Sequence, residues 1–324
     1  MTDTPVAADA AKPHRLTLMT VHAHPDDETI TTGGVMAKAV NAGHRVILVT
    51  CTRGEQGEIV VKEMDTPENH RRLGELRAAE LEAAMAELGV MEWENLGYRD
   101  SDMMGRAGNV DPRSFWRADL DEAAGRLVWL MRRYRPDVVT TYNQYGGYGH
   151  PDHIRVHDVA VRAYPRAGDP AWYPDQLAPE HGGTGPSIDE GGLAPWTPSK
   201  LYEQATPASV RTAMRERMEE LGKPNPWSPP ADATPEQLAE FEAFQARMLV
   251  PDESITTWID ISGDPIDRKW NAIREHATQM AEDSFFMAFG LDGWRESWSK
   301  EAFIVRESTV DTAKPEDDLF AWLS

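Results

Sequence analysis

The chain has 324 residues, 40% of them apolar and 27% charged, with a formal net charge of −21 and one cysteine. That length can bury a core of one large α/β domain, and the acidic field repels nucleic acid and anionic membranes, so neither is expected as a partner. Lone Cys51 excludes an intrachain disulfide and fits a reducing, cytoplasmic setting, and no segment approaches the ~20 apolar residues that span a bilayer.

Residues 1–14 are polar and Ala-rich, lack an apolar signal-like run and read as a disordered tail. The run 16–21 (LTLMTV) reads as a buried strand that ends at His22-Ala23-His24-Pro25. A helix is expected over 34–41, stopped by Gly43, followed by a strand over 45–50. Leu73, Leu76, Leu81, Met85 and Leu88 recur at helical spacing and predict one long helix over 68–88, ending at Gly89. A short strand near 93–96, a helix over 120–133 and a strand over 137–142 follow.

Short apolar runs alternating with amphipathic helices predict a Rossmann-like α/β fold: a mostly parallel sheet with helices on both faces. The Gly- and Pro-rich stretch 165–198 reads as a long loop that shapes a substrate cleft. Beyond it, a strand is expected over 200–204 and a helix over 207–221. The Pro-rich break 223–230 then precedes Thr234-Pro235-Glu236-Gln237, a helix start with Thr as cap and Pro in the first turn. That helix should reach about residue 248; a strand over 254–261, a helix over 265–280 and a strand over 303–306 complete a single domain spanning 15–310. The acidic tail 311–324 ends in Leu319-Phe320-Ala321-Trp322-Leu323, apolar enough to dock on the body or on a second copy in a homo-oligomer.

Chemistry concentrates in two places. His24-Pro25-Asp26-Asp27-Glu28 follows the first strand, and Gly146-Gly147-Tyr148-Gly149-His150-Pro151-Asp152-His153 follows the strand over 137–142. Both fall at carboxyl ends of predicted parallel strands, where open α/β sheets bind ligands. Each motif alone is as well explained by a helix cap or a salt bridge. Together, His24, Asp27 and His153 form a His₂Asp set with the stoichiometry of catalytic zinc, three protein ligands and an open position; the same set accommodates ferrous iron. Pro151 should open a helix, with His150 and His153 at its entrance.

The two motifs resemble those of the LmbE-like (PIG-L) superfamily of zinc N-deacetylases, most closely its mycothiol-pathway branch. The segments Thr50 to Glu58, Tyr98-Arg99-Asp100-Ser101 and His276-Ala277-Thr278-Gln279 are similar as well. The resemblance spans about 15–306 and is poor over 165–198 and 222–250. It implies that His24, Asp27 and His153 hold the metal and that Asp26 is the general base. It also implies that Tyr148 or His150 stabilises the oxyanion, with His150 as imidazolium able to protonate the leaving amine. Asp152 is expected either to orient His150 or to cap the helix. Glu58, Arg72 and Asp100 match substrate-binding positions.

The reaction this implies is hydrolysis of the N-acetyl group of an N-acetylglucosamine-type glycoside such as N-acetylglucosaminyl-inositol. Mycothiol S-conjugate cleavage, deacetylation of a bacillithiol precursor or antibiotic amino-sugar, and a non-catalytic metal- or sugar-binding protein stay open as alternatives. A dinucleotide enzyme is excluded, because no Gly-x-Gly-x-x-Gly follows the first strand. A two-metal phosphoesterase would need more bridging carboxylates than the motifs supply.

Overall fold

Alternating strands and helices wind into one twisted sheet. The computed structural model describes residues 15–178, 193–222, 228–229 and 232–323. Strands β1 (Thr17–His22), β2 (Arg45–Thr50), β3 (Glu92–Asn95), β4 (Val138–Thr141) and β5 (Lys200–Pro207) are parallel. The two-residue β6 (Leu249–Val250) pairs with the end of β5, while β7 (Thr257–Asp260) and β8 (Lys300–Ser308) add an antiparallel edge. The order is β3-β2-β1-β4-β5-β8-β7.

The helices are α1 (Asp27–Asn41), α2 (Pro67–Arg71), α3 (Leu73–Leu88), α4 (Leu120–Tyr134) and α5 (Gly146–Gly149). They continue as α6 (Pro151–Ala167), α7 (Ala208–Glu220), α8 (Pro235–Met248), α9 (Asp264–Glu275) and α10 (Gly290–Ser297). Because strand side chains alternate, Leu18, Leu48 and Val138 face one core with α1, α3 and α9, and Met19, Val21, Ile47 and Val139 face the other with α4 and α6. No helix among the described residues is long and apolar enough to cross a membrane.

Several boundaries differ from expectation. α1 begins at Asp27, seven residues early, because the Thr31 and Thr32 hydroxyls bond back to the Asp27 and Glu28 carbonyls (2.7 and 3.0 Å) and so sit comfortably inside a helix. The expected helix over 68–88 is two helices, broken at Arg72 (φ −111°, ψ 10°). The helix expected to reach 280 ends at Glu275 and leaves His276 to Gln279 as a loop. α10 and β6 carried no recognised signal. The tail expected at 1–14 and much of the two variable stretches (179–192, 223–227, 230–231) lie outside the described residues.

The C-terminal segment docks on its own body. Lys200 Nζ reaches Glu316 Oε1 at 2.9 Å, Tyr202 and Thr257 hydroxyls donate to Glu316 Oε2 (2.6 and 2.9 Å), and Leu319 and Phe320 join the first core.

Candidate metal centre and active site

β1 and β4 are neighbours, in register from Leu18 against Val138 to Thr20 against Thr140. The chain leaves β1 towards β2 on one side and β4 towards β5 on the other, so their carboxyl ends flank the crevice where strand order reverses. His24 lies in the turn after β1, and Asp27 is the first residue of α1. His150 caps α6, with Pro151 in its first turn and His153 one residue further than Asp152. Gly146 has φ +64°, and a Cβ there would stand 2.6 Å from both the His153 Cβ and the Ile154 nitrogen; only glycine lets this turn close on α6.

Three donor atoms meet at one point. His24 Nδ1 and His153 Nε2 each lie 3.2 Å from Asp27 Oδ2 and 3.4 Å from one another. Bonds of ~2.0–2.2 Å in tetrahedral geometry give ligand–ligand edges of about 3.3–3.6 Å, so the triangle is close to the size a divalent ion requires. All three residues are buried, and Asp26, Glu28, Asp100 and Asp152 add carboxylates around them. Burial alone would raise the Asp27 pKa, but the His153 and His24 imidazoles hold it well below the usual range. Burial likewise disfavours charge on His24, yet Asp100, Asp152 and Asp27 together push its pKa well above normal. A cluster that demands positive charge this strongly suits a cation. His150 also brings a ring nitrogen within 4.8 Å of those of His24 and His153.

Hydrogen bonds separate the imidazoles. His24 Nε2 lies 3.2 Å from Asp152 Oδ2, which leaves Nδ1 for the donor triangle and forms the carboxylate–histidine arrangement common at metal sites. The Asp152 carboxylate is itself held by the Ser101 N–H (2.9 Å) and hydroxyl. It therefore faces His24, not His150. His150 Nδ1 accepts the Asp152 backbone N–H (3.1 Å), which assigns the ring proton to Nε2. Burial and the nearby His24 and His153 push its pKa far down, which disfavours the expected imidazolium. Tyr148 stands edge-on to His153 (ring centroids 4.8 Å), and burial beside Asp27 and Asp26 keeps its phenol protonated. Tyr142 stacks on His153 at 4.3 Å.

Asp26 precedes α1 with φ +106°, a conformation that is sterically costly for a residue with a Cβ. Its carboxyl is pushed up to about 6, first by burial and then by Asp27 and Glu28, against the opposing Arg77 charge 3.3 Å away. Arg77, buried on α3, also donates to the Gly54 carbonyl (3.0 Å) and the Pro25 carbonyl.

A cavity of about 1120 Å³ opens on this cluster, lined among others by Glu58, Asp100, Arg77 and Tyr148. Asp100 is buried, with Oδ1 3.7 Å from His24 Nε2 and Oδ2 accepting the Gln56 N–H; Glu58 stands exposed at the rim. Arg72 is not brought there. It sits at the break between α2 and α3, exposed and paired with Glu75 at 3.0 Å. The inward arginine is Arg77, five residues on. Arg72-Leu-Gly-Glu-Leu and Arg77-Ala-Ala-Glu-Leu share one spacing, so spacing alone does not tell which arginine faces the cleft. Arg77, Glu28, Tyr142 and Ser101 carried no expected role.

Residues 19–164 match the family model described as PIG-L, GlcNAc-PI de-N-acetylase. A 1D-myo-inositol 2-acetamido-2-deoxy-alpha-D-glucopyranoside deacetylase of Geodermatophilus obscurus is 41% identical over 313 residues, 94% of this chain and 97% of that protein. One of Frankia alni is also 41% identical, covering 94% and 99%. Among solved structures, N,N'-diacetylchitobiose deacetylase from Pyrococcus horikoshii superposes with a TM-score of 0.57 at 20% identity, over 92% of this chain and 87% of that one. A 4-carboxy-2-hydroxymuconate hydratase superposes with a TM-score of 0.55 at 18% identity, over 92% and 99%, so the fold alone does not choose the reaction. On the strength of relatives matched over nearly their whole length, the chain belongs to the PIG-L family of de-N-acetylases.

Proposed function

We propose that the protein removes the acetyl group from N-acetylglucosaminyl-inositol, using zinc held by His24, Asp27 and His153. The observation that carries the metal assignment is the 3.2, 3.2 and 3.4 Å donor triangle. The substrate assignment rests on the named activity of relatives 41% identical over 94% of the chain. An ion held by His24, Asp27 and His153 would supply Lewis acidity and make a water brought to it more acidic.

The chain's own residues supply the proton handling. Asp26 takes a proton from the attacking water, and its elevated pKa lets it pass that proton to the nitrogen of the breaking amide, releasing acetate and free amine. The His150 Nε2–H and the Tyr148 hydroxyl donate to the developing oxyanion, both being protonated and neutral. Asp152 fixes the His24 ring, and Asp100, Glu58 and Arg77 form the sugar-facing wall. The one buried cysteine suits a cytoplasmic enzyme.

The test is an amine-release assay over a panel of N-acetylglucosaminides, an S-conjugate of the corresponding thiol among them. Highest kcat/KM on the inositol glycoside is expected. Preference for the S-conjugate would transfer the protein to conjugate cleavage, and zinc-loaded protein inert on the whole panel would make it a binding module.

A further inference from the structure

The loop His276-Ala277-Thr278-Gln279 supplies none of the donor atoms, yet it ties together α1, α3 and the 58–60 segment beside Asp26. The His276 Nε2 lies 3.0 Å from Glu28 Oε1, and both side chains are fully buried. The other oxygen of that carboxylate accepts the Asp26 backbone N–H at 2.9 Å, and the Thr29 hydroxyl donates to Oε1 at 2.7 Å. Two residues on, Thr278 donates its N–H and hydroxyl to the two oxygens of Glu80 on α3, each at 2.8 Å. The Val60 N–H donates to the Thr278 carbonyl, and the Gln279 amide donates to the Glu58 carbonyl, both at 2.9 Å. The loop thus bridges α1, α3 and the rim of the cleft.

Asp26 needs such support. Its φ of +106° persists only if the surroundings over-determine it. Arg77 holds its carboxylate and the carbonyl before it, and Glu28 holds its N–H. Glu28 in turn is a buried carboxylate beside Asp26 and Asp27, and it keeps this rotamer because His276 meets it from the far side. Without that partner, the carboxylate would be drawn towards water and would release the Asp26 amide.

We propose that His276 is a positioning residue of the deacetylation: acting through Glu28, it locks the Asp26 backbone in the conformation that aims the base at the water. The inference rests on Asp26 being the base, as argued above, but the backbone lock it describes can be read without any reaction.

Two readouts test it. In His276→Leu, kcat should fall about 10- to 100-fold with KM within about twofold and zinc content unchanged. In His276→Gln, whose amide can still donate to Glu28, at least tenfold of that loss should return. In metal-free protein, hydrogen exchange over residues 22–30 should accelerate about tenfold in the Leu variant and less in the Gln variant, with α4 unaffected. Unchanged exchange, unchanged kcat per folded enzyme, or a Gln variant no better than Leu would each overturn the proposal. If the His276 variants do not fold, Glu28→Ala, which removes the acceptor of the Asp26 N–H, carries the same expectations for kcat and exchange. A wild-type enzyme inert on every substrate would sink the functional reading, while the exchange result still decides the lock.

Discussion

Replacing Asp26 with asparagine changes little except the proton acceptor. The side-chain volume is kept, and asparagine tolerates positive φ better than most residues, so the +106° turn into α1 should survive. The donor triangle of His24, Asp27 and His153 is untouched, so metal content should hold at the wild-type level. A positioned general base contributes 10²–10⁴ in rate, roughly 3–5 kcal/mol of barrier. The upper part of that range is expected here. Before any ion is bound, burial raises the Asp26 carboxyl to about 6, which makes it a stronger base than a free carboxylate. kcat from amine release, set beside elemental analysis for zinc, decides the matter. A fall of less than tenfold with metal retained would refute the assignment of Asp26 as base; a fall accompanied by metal loss would place Asp26 among the ligands instead.

Activity should fall on the acid side as Asp26 takes up a proton, with a midpoint at or below about 6, since a bound dication can only lower it. The Arg77 charge lowers the Asp26 pKa, so Arg77→Met should move that midpoint upward and Arg77→Lys much less, whereas Arg72→Ala should leave kcat and KM within about twofold. Asp152→Asn should weaken zinc affinity about 10- to 100-fold, measured by competition with a chromogenic chelator, because the His24 ring loses its charged partner. Glu316→Gln should cost about 3–5 kcal/mol in denaturant unfolding, since Lys200 is left buried without its counter-charge. The folded-state pKa of Glu316 is depressed, so its contribution is present above the unfolded value of ~4.3 and fades as pH falls through the lower folded one.

The centre of the parallel sheet was legible because β1, β2 and β4 are short, almost wholly buried runs, and the two His/Asp motifs were legible because they follow two of them. Their convergence follows from β1 and β4 being neighbours, a matter of strand order that periodicity does not contain. Local signals failed where tertiary contacts decide. The threonines at the start of α1 lower helix propensity, but their hydroxyls are satisfied within the helix. The choice between Arg72 and Arg77 depends on which face of a broken helix meets the sheet, and the tandem spacing offers no preference. The partner of Asp152 could not be read either: it lies 128 residues away in the chain, while the neighbouring His150 was the obvious suggestion. The identity of Glu316 as the anchor of the tail likewise depends on Lys200, over a hundred residues earlier.

The most direct test of the metal-centred account is removal and return of the ion. Purified protein stripped by a chelator, and shown by elemental analysis to be metal-free, should release no amine from N-acetylglucosaminyl-inositol. Titration with zinc should restore activity and saturate at one ion per chain, and His153→Ala should abolish that recovery. Full deacetylation by metal-free protein, or normal zinc recovery in His153→Ala, would contradict the assignment of His24, Asp27 and His153 as the catalytic metal site.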